Sequence, residues 1–227
     1  MSATSESFAE TPGDPTIDRL SALATATISD ALDSLGLPGP LAGIRALTPD
    51  VRATGPAFPV AYVPITEKVG TVGDFLDDVP AGAVVVIDNA GRTDCTVWGG
   101  IMTQAAAGRR VAGTVVHGAC RDVATTLSEQ YPMWSSGVFM RTGKDRVRMV
   151  SAGQPVVIDG VTIAAGDVVC GDADGVVVVL AARTTEVAEL AEHIDRIEAE
   201  IVDAVRGGSG LRQARSELGY HRLQSRS

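Results

Sequence analysis

The sequence predicts an α/β fold built on a central βαβ unit. Two apolar runs, 83–89 (AVVVIDN) and 111–118 (VAGTVVHG), have the composition of strands that are covered on both faces. Between them lie a predicted loop at 89–98 and a segment of small residues at 99–108 (GGIMTQAAAG), which predicts a helix. A strand–helix–strand order of this kind requires two parallel strands joined by a right-handed crossover. The sheet therefore has a carboxyl edge at which the ends of neighbouring strands meet.

Length and charge limit the class of protein. The chain has 227 residues, of which 45% are hydrophobic, and this is enough for one domain with a sizeable core. The formal net charge of -9 predicts no nucleic-acid partner, since phosphate contacts need clustered Lys and Arg. The three cysteines form no CxxC pair, which fits a reducing compartment, the cytoplasm. Neither a signal-peptide pattern nor an apolar run of about 18 residues is present, so no membrane partner is expected.

The first part of the chain predicts a tail, a helix and an edge strand. Residues 1–15 are rich in Ser, Thr, Glu, Pro and Gly, and we expect a disordered N-terminal tail because little of it could be buried. Between 16 and 35, apolar residues recur every three or four positions, which predicts one N-terminal helix ended by Gly36. Residues 56–64 predict a strand whose prolines favour a sheet edge, and 71–79 a short helix.

Beyond the βαβ unit, the sequence predicts short strands and a long helix. A helix over 122–129 is followed by turn signals that separate strand-like pieces at 133–140, 146–150, 154–160, 161–171 and 175–180. Apolar spacing predicts a long C-terminal helix over 184–206, which packs either on its own core or along a subunit seam. The GGSG that follows begins a C-terminal extension, 207–227, so the folded domain is expected to span 16–206.

Glycines and charges at the predicted carboxyl edge indicate a ligand site. Gly99 and Gly100 begin the helix of the βαβ unit, where free backbone N–H groups can receive an anion. Arg121 and Asp122 follow the second strand. A guanidinium suits a carboxylate ligand, and an adjacent carboxylate can hold Mg²⁺, which keeps several waters. The sequence thus predicts a pocket for a small acid and a metal. The alternative is that Asp122 caps the following helix and Arg121 pairs with a surface acid.

Other residues near these motifs are interpreted as structural. His117 is expected to be a neutral histidine with a local hydrogen bond, and proton transfer is the alternative role. Cys120 is interpreted as a small packing residue, although a neighbouring arginine can activate a thiol. Asp172 and Asp174 lie in a turn between apolar runs, where Asp-Gly sequences are usually structural. Trp98 is interpreted as a packing anchor that helps to shape the adjacent loop.

Three motifs, taken in order, carry a resemblance to a known family. They are W-G-x-x-x at 98–102, G-x-x-R-D at 118–122 and G-D-x-x-x-x-D-x-D-G-V at 166–176. With them, the chain from about Thr27 to Val179 resembles the family that joins class II 4-hydroxy-4-methyl-2-oxoglutarate aldolases to the regulator of ribonuclease activity A (RraA) proteins. The resemblance implies an α/β fold of the swivelling β/β/α type. It also implies assembly as a homotrimer or homohexamer with sites between subunits.

The same resemblance implies a divalent-metal lyase and gives roles to individual residues. Asp122 is expected to hold Mg²⁺ or Mn²⁺, and Arg121 to contact the pyruvate part of a small 2-oxo acid substrate. The pyruvyl carboxylate is expected to bind the loop formed by Gly99, Gly100, Ile101 and Met102. A metal chelated by the keto and carboxylate oxygens stabilises the enolate that cleavage leaves. Retro-aldol cleavage and oxaloacetate decarboxylation are therefore both expected.

Lysine placement and one departure from the family bear on the chemistry. Lys68 and Lys144 lie away from these motifs, which argues against a Schiff-base aldolase. Many members carry Glu or Asp where this chain has Gly100, and this departure bears on metal affinity and reaction type. In the aldolases a carboxylate from the C-terminal helix of a neighbouring subunit also approaches the site, and Glu198 and Glu200 are the two candidates here.

The resemblance leaves two rival functions open. One is a non-catalytic regulator that docks on a ribonuclease or its helicase partners. The other is a related lyase that acts on an unusual biosynthetic intermediate, which Gly100 favours. A methyltransferase finds no support, because no Gly-rich nucleotide loop with a following ribose-binding acid begins the fold.

Overall fold

The computed structural model describes residues 14–65 and 72–223. Its helices are α1 (Pro15–Ser21), α2 (Thr25–Ser34), α3 (Gly100–Gly108), α4 (Val123–Ser128), α5 (Thr184–Arg206), α6 (Leu211–Glu217) and α7 (Tyr220–Leu223). Its strands are β1 (Arg45–Ala46), β2 (Ala53–Pro64), β3 (Val84–Thr96), β4 (Gly113–Cys120), β5 (Met133–Val138), β6 (Val147–Ala152), β7 (Val156–Ile158), β8 (Val161–Ile163), β9 (Val168–Gly171) and β10 (Val176–Val179). The predicted short helix at 71–79 is a 3-10 helix over Asp74–Asp78, and a second spans Ala181–Arg183.

One large mixed sheet organises the domain. Its strand order is β1-β5-β4-β3-β2-β9-β10, with β6 also paired to β2, while β7 and β8 form a separate hairpin. Strands β2, β3, β4 and β5 are parallel, and the other pairings are antiparallel. The predicted βαβ unit is therefore confirmed as β3–α3–β4. It places the start of α3 and the end of β4 close to each other.

The core covers both faces of the central strands. Along β3, Val85 and Ile87 point into a cluster with Trp98 and Ala106, while their neighbours on the strand point into a second cluster on the opposite face. This alternation explains why β3 is a continuous apolar run, as predicted for a strand covered on both faces. A third cluster packs α1, α2 and α5 on β9 and β10.

Strand β2 lies inside the sheet, so its predicted edge position is wrong. It pairs with β3 along one side and, along the other, first with β9 and then with β6. Pro59 falls at the change of partner, where its carbonyl accepts a hydrogen bond from the amide of Gly153 (2.8 Å). The backbone nitrogen of Pro59, which carries no hydrogen, therefore faces the gap between β9 and β6. A proline is tolerated there because no ladder hydrogen bond is lost.

The predicted helix over 16–35 is instead two helices, α1 and α2. Asp14 caps α1 by accepting a hydrogen bond from the amide of Thr16 (2.8 Å), so the last two residues of the predicted tail belong to the fold. The rest of that tail, 1–13, lies outside the described residues. A new helix begins at Thr25 because Asp172, far along the chain, accepts its backbone N–H (2.8 Å). Periodicity alone could not reveal this tertiary cap.

The segment predicted as a loop after the first buried strand belongs to β3. The strand continues to Thr96, but its register against β4 shifts between Asp88 and Arg92 and again between Arg92 and Thr96. Ala90 and Gly91 have positive φ angles of 52° and 65°. The turn that the local sequence predicts is therefore present as an irregularity within the strand.

The C-terminal half agrees with the predicted pattern of short strands and a long helix. Strands β5, β7 and β10 fall within predicted pieces, and α5 has the predicted bounds. Strand β6 runs two residues beyond its predicted piece, and the piece predicted at 161–171 contains two strands, β8 and β9. The predicted C-terminal extension contains α6 and α7, which dock on the domain through buried Ala214 and partly buried Leu223. None of the helices in the described ranges is long and apolar enough to cross a membrane.

Candidate active site

Two turns meet at the carboxyl edge of β3 and β4. The first runs from Trp98 to Gly100 and begins α3, and the second contains Arg121 and Asp122 before α4. The amide of Arg121 donates to the carbonyl of Trp98 (3.0 Å), and the amide of Gly100 donates to Oδ2 of Asp122 (2.8 Å). The structure thus brings together the residues at which the sequence predicts a ligand site.

The side chain of Asp122 does not cap the helix that follows it, so that part of the alternative is wrong. Its backbone is left-handed (φ 58°), and its side chain makes no capping hydrogen bond to α4. Instead, Oδ2 accepts from Gly100 and lies 3.7 Å from Nε of Arg121. Oδ1 has no hydrogen bond within the described ranges. The two side chains are 40% (Arg121) and 47% (Asp122) exposed, which leaves both accessible to a ligand.

The two glycines allow the close approach of these side chains. A Cβ on Gly99 would lie 2.9 Å from Oδ2 of Asp122 and 3.1 Å from Nε of Arg121. A Cβ on Gly100 would lie 3.1 Å from Oγ1 of Thr125 and 3.3 Å from Cβ of Asp122. Bare backbone therefore lets the charged groups contact the start of α3. The sequence indicated the glycines as anion donors but not this steric role.

The start of α3 also offers donors to an anion. Ile101 and Met102 occupy the second and third positions of α3, where backbone N–H groups have no acceptor within the helix. The side chain of Ile101 is 87% exposed, whereas Met102 is packed in the core. Since the amide of Gly100 is engaged by Asp122, the amides of Ile101 and Met102 are those that the first turn of α3 offers to an anion.

A buried hydrogen-bond network supports the first turn. The indole of Trp98 donates to Oγ1 of Thr103 (3.0 Å) and stacks on Tyr131 with ring centroids 6.1 Å apart. The hydroxyl of Thr103 in turn lies 3.3 Å from the carbonyl of Gly99. The interpretation of Trp98 as an anchor for the loop is confirmed. Sequence analysis missed Thr103 and Tyr131, because a polar residue on α3 is not a specific signal: Gln104 is another.

His117 and Cys120 are held by local contacts. Nδ1 of His117 lies 2.9 Å from Oδ1 of Asp88, which also accepts the amide of Ala90 (2.8 Å), so the predicted local hydrogen bond is present. Cys120 is buried, and burial raises the pKa of its thiol, as expected for a packing residue and not for an activated nucleophile. Asn89, the other polar residue at the end of the first apolar run, is fully buried.

Asp172 is structural, as predicted, while Asp174 contacts it through its backbone amide. Asp172 accepts from the amide and from the hydroxyl of Thr25, and from the amide of Asp174. Burial opposes ionisation of Asp172, but the hydrogen bonds outweigh burial and lower the pKa of this carboxyl. The same turn also accepts the indole N–H of Trp134 at the carbonyl of Asp172 (2.8 Å). The turn therefore joins α2, β5 and β9.

The acids of α5 lie on a different part of the domain. Helix α5 packs on α1 and α2. Burial, with a contribution from Asp30 and Asp195, raises the pKa of Glu198. Within the described residues, Asp122 makes its hydrogen bond and ion pair with Gly100 and Arg121, and not with Glu198 or Glu200 of the same chain. Their predicted approach to a neighbouring subunit's site stays a prediction.

The side chains at the two turns fit an ion such as Mg²⁺, which needs few protein ligands. They do not fit an ion that needs three or more protein side chains. In the described ranges, no group of three or more His, Cys, Asp or Glu residues is placed to hold a metal. Asp122 offers one unengaged carboxylate oxygen and is about half exposed. Mg²⁺ and Mn²⁺ accept such a site, because water and substrate oxygens supply their remaining ligands.

The fold and these turns define an α/β protein with a candidate small-acid site at the carboxyl edge of its sheet. Residues 25–178 match the family model described as RraA-like, Aldolase/RraA. The chain belongs to the RraA-like family, as its motifs indicated.

Individual relatives differ in what their names say. The chain is 42% identical over 200 residues to protein DlpA of Legionella pneumophila, covering 86% of this chain but 32% of DlpA, so it spans about a third of that protein's length. It is 32% identical over 165 residues to a putative 4-hydroxy-4-methyl-2-oxoglutarate aldolase of Halalkalibacterium halodurans, covering 72% of this chain and 75% of that protein.

A solved structure supports the predicted fold. RraAS2 of Streptomyces coelicolor, described as an unusual member of the RNase ES inhibitor RraA protein family, is similar with a TM-score of 0.76 at 26% identity. The match covers 84% of this chain and 97% of that one. The α/β fold with a long C-terminal helix is therefore confirmed.

Proposed function

We propose that this protein is a divalent-metal-dependent carbon–carbon lyase. It cleaves a 4-hydroxy-2-oxo acid by a retro-aldol reaction that releases pyruvate, and it decarboxylates oxaloacetate as a second activity. The observation that carries the proposal is the meeting of Arg121, Asp122 and the free amides of α3 at one accessible edge. The similarity to putative aldolases supports it.

Arg121 and the start of α3 bind the pyruvate part of the substrate. The amides of Ile101 and Met102 receive the carboxylate, because the start of a helix favours negative charge. The guanidinium of Arg121 is 40% exposed and contributes a fixed positive charge beside the reacting carbons. That charge stabilises the enolate more than the neutral ketone, so it lowers the barrier to cleavage.

Asp122 is the residue that would hold the metal, since within the described residues only its Oδ2 is engaged, by the amide of Gly100. A bound Mg²⁺ or Mn²⁺ would supply Lewis-acid stabilisation of the enolate. The hydrogen bond from Gly100 holds the carboxylate of Asp122 in place, and Nε of Arg121 lies 3.7 Å from the same oxygen.

A second subunit completes the site in this proposal. Ile101, Val138 and Met140 are exposed apolar side chains, and residue 139 binds back to Cys120 through its amide (2.9 Å), which keeps that stretch next to Arg121. Exposed apolar groups of this size favour association. We therefore propose a homotrimer or homohexamer in the cytoplasm, in which Glu198 or Glu200 of a neighbour approaches the ligand.

The similarity to RraAS2 favours a second candidate, a non-catalytic regulator of a ribonuclease. A related lyase that acts on a different 2-oxo acid is a third. The regulator requires no small ligand at Arg121 and Asp122, whereas both lyases do. Binding of 2-oxo acids therefore separates the candidates.

The deciding experiment measures pyruvate release from a panel of 4-hydroxy-2-oxo acids and oxaloacetate, with and without Mg²⁺ or Mn²⁺. We expect metal-dependent turnover that falls by about 100-fold or more in Asp122→Asn. Asp159→Asn is the matched control, because Asp159 is also left-handed (φ 50°) but lies exposed in the turn between β7 and β8. No release across the panel, or undiminished turnover of Asp122→Asn with a chelator present, would refute the lyase proposal.

A further inference from the structure

A hydroxyl group next to Asp122 is not accounted for by the roles above. Thr125 lies in the first turn of α4, and its Oγ1 is 3.1 Å from the point at which a Cβ of residue 100 would stand. Oδ2 of Asp122 is 3.4 Å from the same point. The two oxygens therefore lie on the same side of the Gly100 backbone and face the space that the missing side chain leaves open.

The hydroxyl of Thr125 is available to a ligand. Neighbouring hydroxyls have partners: Thr126 pairs with Thr103 (3.4 Å), and Ser128 donates to the carbonyl of Thr125 (2.9 Å). Within the described ranges, Oγ1 of Thr125 itself makes no hydrogen bond, and the residue is partly exposed. A threonine hydroxyl carries one donor and two acceptor sites, and helical threonines commonly direct the donor back to their own helix. Thr125 makes no such hydrogen bond, so its hydroxyl proton is available to a ligand.

We propose that Thr125 is a substrate-binding residue whose hydroxyl donates to an oxygen of the bound 2-oxo acid. The inference rests on the proposed function, because it assumes a ligand between Arg121 and the start of α3. Three kinds of donor then converge on one oxygen-rich anion: the guanidinium, the helix amides and this hydroxyl. Hydrogen bonds to a charged acceptor are stronger than neutral ones, so a single hydroxyl contributes measurably to affinity.

Gly100 and Thr125 form a coupled pair in this arrangement. A side chain at position 100 would force Oγ1 of Thr125 away, since a 3.1 Å contact is closer than packed groups ordinarily come. Conversely, the absence of a side chain at position 100 gives a ligand oxygen access to the hydroxyl. Thr125 thus determines which atom the ligand can place beside Asp122.

The test measures binding of pyruvate and of oxalate by calorimetry in the presence of Mg²⁺, with the full chain. Thr125→Val keeps the shape but removes the hydroxyl, and Thr125→Ser keeps the hydroxyl. We expect the Kd of both anions to rise by about 5- to 20-fold in Thr125→Val and to stay within about 3-fold in Thr125→Ser. Thr162→Val, an exposed change on β8, controls for the general effect of a valine.

Three outcomes would overturn the assignment. If wild type binds the anions and Thr125→Val binds them equally well, Thr125 has no role and the proposed lyase site stands. If Thr125→Val loses Mn²⁺ affinity, measured by electron paramagnetic resonance without any anion, the hydroxyl serves the metal and not the substrate. If wild type binds neither anion, the proposed function fails together with this inference.

Discussion

Two aspartates of this fold contact the first backbone N–H of a helix, yet they do so in different ways. Asp172 accepts from Thr25 at the start of α2, and Asp122 accepts from Gly100 at the start of α3, both at 2.8 Å. The second oxygen of Asp172 accepts two more hydrogen bonds, from the Thr25 hydroxyl and the amide of Asp174. The second oxygen of Asp122 accepts none within the described ranges.

The difference separates a structural carboxylate from one suited to a ligand. A carboxylate oxygen that is hydrogen-bonded to the protein stabilises the fold. A carboxylate oxygen at an accessible edge that has no such partner can bind a ligand. The two residues look alike in sequence, since each closely follows an apolar run and a glycine. The number of hydrogen-bond partners, which only the structure gives, distinguishes them.

After Asp122→Asn, the largest effect is expected for Gly99→Ala, which places a methyl group against the side chain of Asp122. The new Cβ would lie 2.9 Å from Oδ2 of Asp122 and 3.1 Å from Nε of Arg121, so both groups must move. A displacement of this kind can cost about 100-fold in rate, and we expect kcat/KM for pyruvate release to fall by about 10- to 100-fold. Assay of the variant beside wild type measures it.

Gly108→Ala is the control for that substitution. Gly108 is the last residue of α3, and a Cβ there would meet nothing within 4 Å. Its activity should equal that of wild type, and its free energy of unfolding should stay equal or rise by up to about 1 kcal/mol, because alanine favours a helix. A Gly99→Ala enzyme with activity within twofold of wild type would show that Arg121 and Asp122 need no fixed position.

Much of this architecture could be predicted because it depends on local patterns. The apolar runs of β3 and β4 and the periodicity of α5 are single-segment signals, and the structure confirms them. The errors arose where distant residues decide. Pro59 is tolerated inside the sheet by a change of partner strand, and α2 begins where Asp172 supplies a cap from another segment.

The candidate site shows the same division. The charged pair and the two glycines lie at predicted strand and helix boundaries. Ligands bind beyond the carboxyl ends of parallel strands, and this was sufficient to group Arg121, Asp122, Gly99 and Gly100. Thr103 and Thr125 were not predicted, because their roles depend on distances to Gly99 and Gly100 across separate segments. A threonine in a helix carries no sequence signal for such a contact.

A smaller effect, on stability and not on activity, is expected for Asp172→Ala. The change removes the cap of α2 together with the bonds to the Thr25 hydroxyl and to Asp174. Loss of a helix cap and its associated hydrogen bonds costs about 1 to 3 kcal/mol, so denaturant unfolding should show a decrease of that size. Turnover measured well below the melting temperature should persist.

Asp203→Ala provides the comparison for that measurement. Asp203 is exposed on α5, with Arg206 at 3.8 Å, and exposed pairs of this kind are worth little. Its free energy of unfolding should stay within about 0.5 kcal/mol of wild type. An Asp172→Ala protein as stable as Asp203→Ala would remove the distinction between the two aspartates drawn above.

The smallest effect is the pH dependence that Asp172 confers. Hydrogen bonds from Thr25 and the turn amides lower the pKa of this carboxyl in the folded state, in spite of its burial. A lowered folded pKa means that the stabilisation is fully present above the unfolded pKa, about 3.9, and is lost as pH falls through the folded value. The difference in unfolding free energy between wild type and Asp172→Ala should therefore be constant above about pH 5 and shrink below about pH 4. Urea titrations of both proteins across this pH range test the sign of this dependence. If the difference in unfolding free energy instead widens on acidification, Asp172 is protonated in the folded protein and its hydrogen bonds do not favour the carboxylate.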